Sequence, residues 1–439
     1  MHPEIIITTM QKEYYKLLTI SILLCLPLAM LQAQTDTVER PSRLTIGGYG
    51  EAVYNYNLYS DNVFRYTHAS RYADSKGHGR VDIPHAVIML GYDFGHGWSM
   101  GTEIEFEHGG IEAAVEKETE ETGEFEQEIE RGGEVALEQF WIQKSFSNAF
   151  NIRAGHIVVP VGMTNNNHTP DKFFGVYRPE GENTILPCTW HETGISLWGR
   201  AGNWRYEAQL LPALNSNLYN ESGWVHNGSA SPYEFRPANS LAGALRIDYL
   251  GIPGLRLSLS GYLGNTFNND IVTNIYSETS QFRNARGTLA IGAFDFDYHN
   301  RWFLIRGNFD YGWLGNASLI STRNKNQTTM TGNPYPHTAV GERAWDASVE
   351  AGINLLAARS THKKLYLFGR YDHYDSFVLA NGWTDIPWAE KQIVSAGINY
   401  YPLPQIAVKA EAGIRLLKQQ YNNEPYVAVG ITWCGIFHR

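Results

Sequence analysis

From about residue 40 the chain repeats one rhythm: an alternating apolar and polar stretch, a tight turn, another such stretch, then a long polar connection. Tight turns fall at 95–97, 147–149, 201–203, 251–254, 299–300, 359–363 and 402–404. Long connections fall at roughly 55–79, 109–133, 161–191, 213–238, 265–286, 314–343, 375–389 and 418–425. Seven short and eight long connections join sixteen strands. Inside a bilayer every backbone amide and carbonyl must find a partner within the protein, so only helices or a closed barrel can span. A spanning strand needs roughly 9–11 residues. The stretches 43–54, 99–108, 254–264, 302–313, 345–357, 405–417 and 426–437 have that length, as does 194–200 once extended at one end. Short turns on one side and long loops on the other are the asymmetry of a bacterial outer-membrane barrel. An even strand number leaves both termini on one face and lets the first strand pair with the last. The expected fold is all-β: a closed antiparallel transmembrane barrel of about 16 strands over 43–439, with short periplasmic turns and long extracellular loops.

The amino terminus agrees. Lys12 and Lys16 precede a mostly apolar run from Leu17 to Leu31 and then Gln32-Ala33-Gln34, which reads as a secretory signal over 1–33 cleaved after Ala33. Met1–Thr9 lacks signal character, so Met10 is a second candidate start. A membrane anchor needs about 20 apolar residues, and Pro27 breaks this run. Leu24 before Cys25 is not the small residue a lipoprotein signal wants. Residues 34–42 form a short segment before the barrel, too short for a plug domain.

Charge is local rather than global. The chain carries a net charge of −10, and residues 103–134 alone hold thirteen Glu against Lys117 and Arg131. The remainder is close to neutral. The Glu-rich loop 112–134 has three readings: a solvated loop of like charges, a mouth that concentrates cations, or a divalent-ion bridge to lipopolysaccharide or a neighbouring subunit. Of three Cys, one lies in the signal, so Cys188 and Cys434 make no disulfide framework.

Aromatic placement separates a membrane barrel from a soluble secreted β protein. Tyr92, Phe94, Trp98, Phe146, Phe150, Trp198, Trp204, Tyr249, Tyr298, Trp302, Tyr400, Tyr401 and Phe437 flank the short turns, as an interfacial girdle would. The period of two then assigns faces. Val427, Val429, Ile431, Trp433 and Phe437 face lipid, as do Trp345, Ala347, Val349, Ala351, Ile353 and Leu355. Asp346, Glu350, Arg306, Asp310, Lys409, Glu411 and Arg415 then face the lumen, with Arg153 joining them as a pore-lining residue. A basic residue facing hydrocarbon costs roughly 2–4 kcal/mol at midplane, so these charges are expected to face water in a wet bore. Segments 80–93 and 134–146 alternate less cleanly and yield no assignment.

A resemblance enters at the fifth strand. Gly155-His156-Ile157-Val158-Val159-Pro160-Val161-Gly162 is similar to the G-x-x-x-x-P-x-G strand end of the phosphate-selective porin O and P family. Asn165-Asn166-Asn167-His168-Thr169-Pro170, Phe173-Phe174, Arg178-Pro179 and Thr189-Trp190-His191-Glu192-Thr193-Gly194 resemble its Bacteroidetes-type relatives. The resemblance implies a diffusion porin, commonly a homotrimer, whose third long loop constricts the lumen. Residues 161–191 hold that loop's place and either enter the lumen or cap it. The family's phosphate path needs stacked basic residues. Here Arg200, Arg205, Arg246, Arg256 and Arg370 add to the basic set, but Glu103, Glu105, Glu207, Asp248, Asp295, Asp297 and Asp372 are interspersed. A mixed-charge lumen favours zwitterionic or neutral polar solutes, or weak selectivity.

His168, Asp171, Arg178, Glu180, Glu182, His191 and Glu192 are the candidate constriction or solute-binding residues. The plainer reading is that they tie the loop to the wall. His191-Glu192 lacks the second His of a zinc-protease helix, since Ile195 stands there, and no G-x-S-x-G elbow occurs. No catalytic residue, metal, cofactor or nucleic-acid partner is expected. The expected function is passive diffusion of small hydrophilic solutes or ions across the outer membrane of a Gram-negative bacterium, with membrane lipid and lipopolysaccharide as surroundings. The alternative is a barrel with a plugged lumen serving as surface receptor or anchoring scaffold.

Overall fold

The computed structural model describes residues 43–108, 113–118, 126–131, 134–231, 235–267, 269, 285–326, 338–378 and 383–438. The expected signal and the segment 34–42 lie outside the described residues.

The strands in chain order are β1 (Arg43–Asn57), β2 (His78–Asp82), β3 (His85–Gly95), β4 (Trp98–Glu107), β5 (Ala113–Glu118), β6 (Glu126–Arg131), β7 (Glu134–Ser147), β8 (Phe150–Val158), β9 (His191–Ala201) and β10 (Trp204–Pro212). They continue as β11 (Leu241–Ile252), β12 (Leu255–Asn265), β13 (Thr288–His299), β14 (Phe303–Leu314), β15 (Arg343–Asn354), β16 (Lys364–Val378), β17 (Glu390–Leu403), β18 (Ile406–Leu416) and β19 (Glu424–His438). Each barrel strand pairs antiparallel with its neighbours, and β1 pairs with both β3 and β19, which closes the wall. Sixteen strands form the barrel. The extra strand β2 continues the line of β3 and pairs with β1 from Val53 to Asn57. Ile83 and Pro84 separate the two, and a proline has no N–H to give the ladder. The long connection after β4 contains a hairpin, β5 with β6.

The faces follow the period of two. Val427, Val429 and Ile431 point outward, as do Val349, Ile353, Leu259, Leu263, Ile195 and Leu197. Phe94, Trp98, Phe146, Phe150, Trp204, Trp302 and Phe437 expose their rings near the short-turn end, while Tyr54, Phe106, Tyr311 and Trp313 do so toward the long-loop end. Trp198 departs from the expected girdle: it turns inward, and its Nε1 donates to Gln143 Oε1 at 3.0 Å. The unclear alternation of 134–146 has a physical cause. Register slips between Glu103 and Ile104, so Glu138 is an extra residue, a β-bulge that turns it inward beside Gln139. No helix among the described residues is long and apolar enough to cross a membrane, which says nothing of strands.

The barrel interior holds an apolar cluster. Val159, Val161, Ile185, Leu186 and Trp190 from the β8–β9 connection pack with Leu214, Tyr219 and Trp224 from the β10–β11 connection. Ile320, on the helix Ala317–Asn326, joins them. Inward Ala242, Ala244, Tyr262, Ile291 and Leu314 of β11 to β14 complete it. That helix and the shorter Glu180–Ile185 lie within the long connections 314–343 and 161–191.

Candidate functional site: the lumen and its inner segment

The connection between β8 and β9 leaves the wall through the residues that carried the resemblance. Gly162 adopts φ +81°, and a Cβ there would fall 2.2 Å from the Glu182 carboxylate. Its N–H donates to Ser260 Oγ at 3.1 Å, and Arg246 Nη1 donates to its carbonyl at 2.9 Å. The G-x-x-x-x-P-x-G pattern is therefore the local chemistry of a chain turning inward.

Once inside, the segment lies against β14 to β18. In a ring of sixteen, β16 is eight strands from β8 by either route, so the contacts are with the far wall. A backbone away from water needs partners for its N–H and C=O groups, and inward charges supply them. Lys409 Nζ donates to the carbonyls of Pro170, Phe173 and Gly175 at 2.6, 2.8 and 2.9 Å. Glu411 accepts from Val176 N at 2.9 Å, Asp372 from Gly181 N at 2.9 Å, and Asn399 Nδ2 donates to Phe174 O at 2.9 Å. Arg370 holds Glu411 in place at 3.1 Å, and Arg306 pairs with Glu350. Asp310 and Asp346 sit side by side on β14 and β15, with Asn308 Nδ2 donating to Asp310 at 2.6 Å. Gly181 is required by this closeness, because a Cβ there would meet Asp346 Oδ1 at 1.8 Å.

Here the structure corrects one expectation. Asp310, Asp346, Glu350, Lys409 and Glu411 do point inward, yet they are buried rather than wet, Asp346 at 0% and Lys409 at 1% exposure. The inner segment covers them. Arg153 is also engaged: it donates to Gln143 Oε1 at 3.0 Å and lies over the Trp141 ring, 4.6 Å from its centroid. Arg415 remains at the edge of the packed region and pairs with Glu180 at 2.6 Å.

The seven residues singled out as one constriction site occupy separate places. Asp171 accepts from Thr169 Oγ1 and Lys172 Nζ at 2.6 and 2.7 Å. Glu180 accepts from Tyr374 OH and from Arg415; burial works against its charge, but Arg415 and Lys391 outweigh it and lower its pKa. Glu182 accepts from the Met163 and Thr164 amides at 3.0 and 2.8 Å, and burial still raises its pKa to about 7. His191 and Glu192 belong to β9 rather than to the loop. His191 meets His156, and Glu192 pairs with Arg236 at 2.9 Å. Arg178 Nε donates to the His168 carbonyl at 3.2 Å. His168 itself faces Glu103 and Glu138, beside Tyr49. Glu138 was missed because a bulge hides it from any period-two count. Cys188 and Cys434 are free thiols.

One polar cleft of about 500 Å³ remains open beside this packing. Glu180, Asn220, His226, Tyr374, Lys391 and Arg415 are among its lining residues. It presents both charge signs to solvent.

No family model matches the chain. An uncharacterized protein of Aquifex aeolicus is 27% identical over 405 residues, covering 89% of this chain and 79% of that protein. Among solved structures, Salmonella typhi OmpF in complex with daunomycin superposes with a TM-score of 0.52 at 10% identity, covering 89% of this chain and 97% of OmpF. An anion-selective porin from Comamonas acidovorans gives 0.49 at 11% identity, covering 90% and 100%. At such identities the likeness to OmpF is one of fold.

Proposed function

We propose that this outer-membrane barrel of a Gram-negative bacterium is a diffusion channel for small hydrophilic solutes, narrowed by the segment 161–191. One observation carries the reading: inward charges of β16 and β18 hold the segment's backbone against the far wall while a mixed-charge cleft stays open beside it. Solutes would pass Glu180, Lys391 and Arg415, so small zwitterions or neutral polar molecules are the favoured cargo. A phosphate path of the porin O and P type finds little support, because basic wall residues such as Arg246, Arg306 and Arg370 are each paired with a carboxylate. A trimer is the assembly this reading favours by analogy. The test is conductance in planar bilayers, with reversal potential in a salt gradient, for the whole barrel and for a variant lacking residues 165–185. A steady conductance with weak selectivity, rising on deletion, supports the channel. Silence from both proteins would exclude it.

The apolar cluster favours a second reading. Val161, Ile185, Trp190, Tyr219 and Trp224 form a packed core of the kind a water-filled bore lacks. In a barrel plugged on this side, the surface loops would act as a receptor or anchor. Near-zero conductance in the whole barrel that becomes large in the deleted one is its signature.

A further inference from the structure

We propose that Glu103, Glu138 and His168 form a binding site for one divalent transition-metal ion, of the Zn²⁺ or Mn²⁺ class, that clips the inner segment to the barrel wall. The three come from β4, from the bulge of β7 and from the inner segment, and each offers a ligand atom within 4.8 Å of the others. His168 Nε2 is 3.9 Å from Glu103 Oε1. Around bound Zn²⁺, bond lengths of about 2.0–2.2 Å put tetrahedral neighbours roughly 3.4 Å apart, so closure asks for a small inward shift of this pair.

The orientation of the unused atoms carries the argument. Each of the three side chains has one polar atom held by a group outside the set and a second atom left unheld, and His168 Nε2 and Glu103 Oε1 are two of these second atoms. Glu103 Oε2 accepts from Gln139 Nε2. Glu138 Oε2 accepts from Tyr49 OH at 3.1 Å. His168 Nδ1 lies 2.9 Å from the carbonyl of Asn165; a carbonyl only accepts, so Nδ1 carries a proton, and in the neutral imidazole Nε2 then keeps its lone pair for a metal. Asn165 is fixed in turn, its Oδ1 accepting from Trp190 N at 2.7 Å. Glu103 Oε1 and Glu138 Oε1 are buried and have no hydrogen-bond partner among the described residues. Ligands oriented from behind by such partners are the usual construction of a metal site. An unpaired buried carboxylate oxygen is otherwise costly.

Charge points the same way. Glu51, Glu105 and His85 neighbour the pair, and Arg178 is a cation close to them. Glu51, Glu103 and Glu138 against one guanidinium leave an excess of negative charge. One imidazole with two carboxylates suits Zn²⁺ or Mn²⁺ better than Ca²⁺ or Mg²⁺, which take oxygen ligands.

The test uses the whole barrel in detergent, stripped with chelator, returned to Zn²⁺ and then to Mn²⁺, with bound metal counted by mass spectrometry and affinity read by titration calorimetry. The expectation is one ion per chain for either metal, with affinity falling at least 100-fold in His168→Ala and in Glu138→Gln. His226→Gln, at a histidine elsewhere in the lumen, should bind as the parent does. Heat-modifiable gel mobility reports the fold of each variant, and His168→Ala, which leaves the wall intact, decides the matter if Glu138→Gln does not fold. A parent that binds neither metal stoichiometrically overturns the proposal. So does unchanged affinity in a folded His168→Ala, or an equal loss in His226→Gln.

Discussion

The inner segment is held in two chemically different ways. Around Pro170–Gly181 its backbone is gripped by charged and polar side chains of β16 to β18, through Lys409, Glu411, Asp372 and Asn399. Around 159–163 and 185–190 it is held by packing, with Trp190 against Tyr262 at 4.9 Å between ring centroids and small inward residues such as Ala242 and Ala244 making room. The polar half fixes register, because each carbonyl and amide has one partner at one height. The apolar half supplies burial that is tolerant of small shifts. A charged tether is worth most when its loss would strand other buried groups, whereas an apolar contact is worth its area and the cavity it leaves.

Removing the central tether should have the largest effect. Lys409→Met leaves the carbonyls of Pro170, Phe173 and Gly175 without their donor, at about 1.5–3 kcal/mol for each hydrogen bond to a charged group. We expect the segment to undock by about 5 kcal/mol, seen as rapid trypsin cleavage at Lys172. Cleavage no faster than in the parent would show that packing alone suffices. Trp190→Ala attacks the other half and should cost about 3–5 kcal/mol, read in denaturant midpoint. If it also frees Lys172 to trypsin, the two halves act as one unit.

The third expectation concerns pH. The pKa of Glu182 is raised by burial to about 7 from the model-peptide value of 4.5. The folded form therefore binds a proton more tightly than the unfolded form. Its favourable contribution is complete below about pH 4.5 and is lost as pH rises through about 7. Docking should weaken between pH 5 and 8 by on the order of 2 kcal/mol. Glu182→Gln should flatten that slope, and a slope that survives the substitution would assign it elsewhere. Gly181→Ala is the mildest change. The Cβ must push against Asp346, an overpacking worth about 1–2 kcal/mol, measurable as a small loss in melting temperature that Gly292→Ala, whose Cβ would meet nothing within 4 Å, should not share.

Much of this barrel was legible in the chain. Strand number, turn positions and facing followed because lipid imposes a period of two on every spanning segment, as Val427 to Ile431 and Asp346 to Asn354 illustrate. Inward charge at Arg306, Lys409 and Glu411 was legible for the same reason. What those charges do was not. Their partners are backbone groups more than two hundred residues away for Lys409, and no local pattern encodes such a pairing. Glu138 was hidden by a bulge, and the dispersal of His168, Glu180, Glu182 and Glu192 to different partners could not be read from their nearness in sequence. The amino-acid order by itself determined a sixteen-strand wall with its greasy side outward, because alternation is a local property that the bilayer reads residue by residue. Only the tertiary structure decided that the segment 161–191 docks against inward residues of the far wall, because that docking depends on where distant side chains meet its amides, carbonyls and apolar surface.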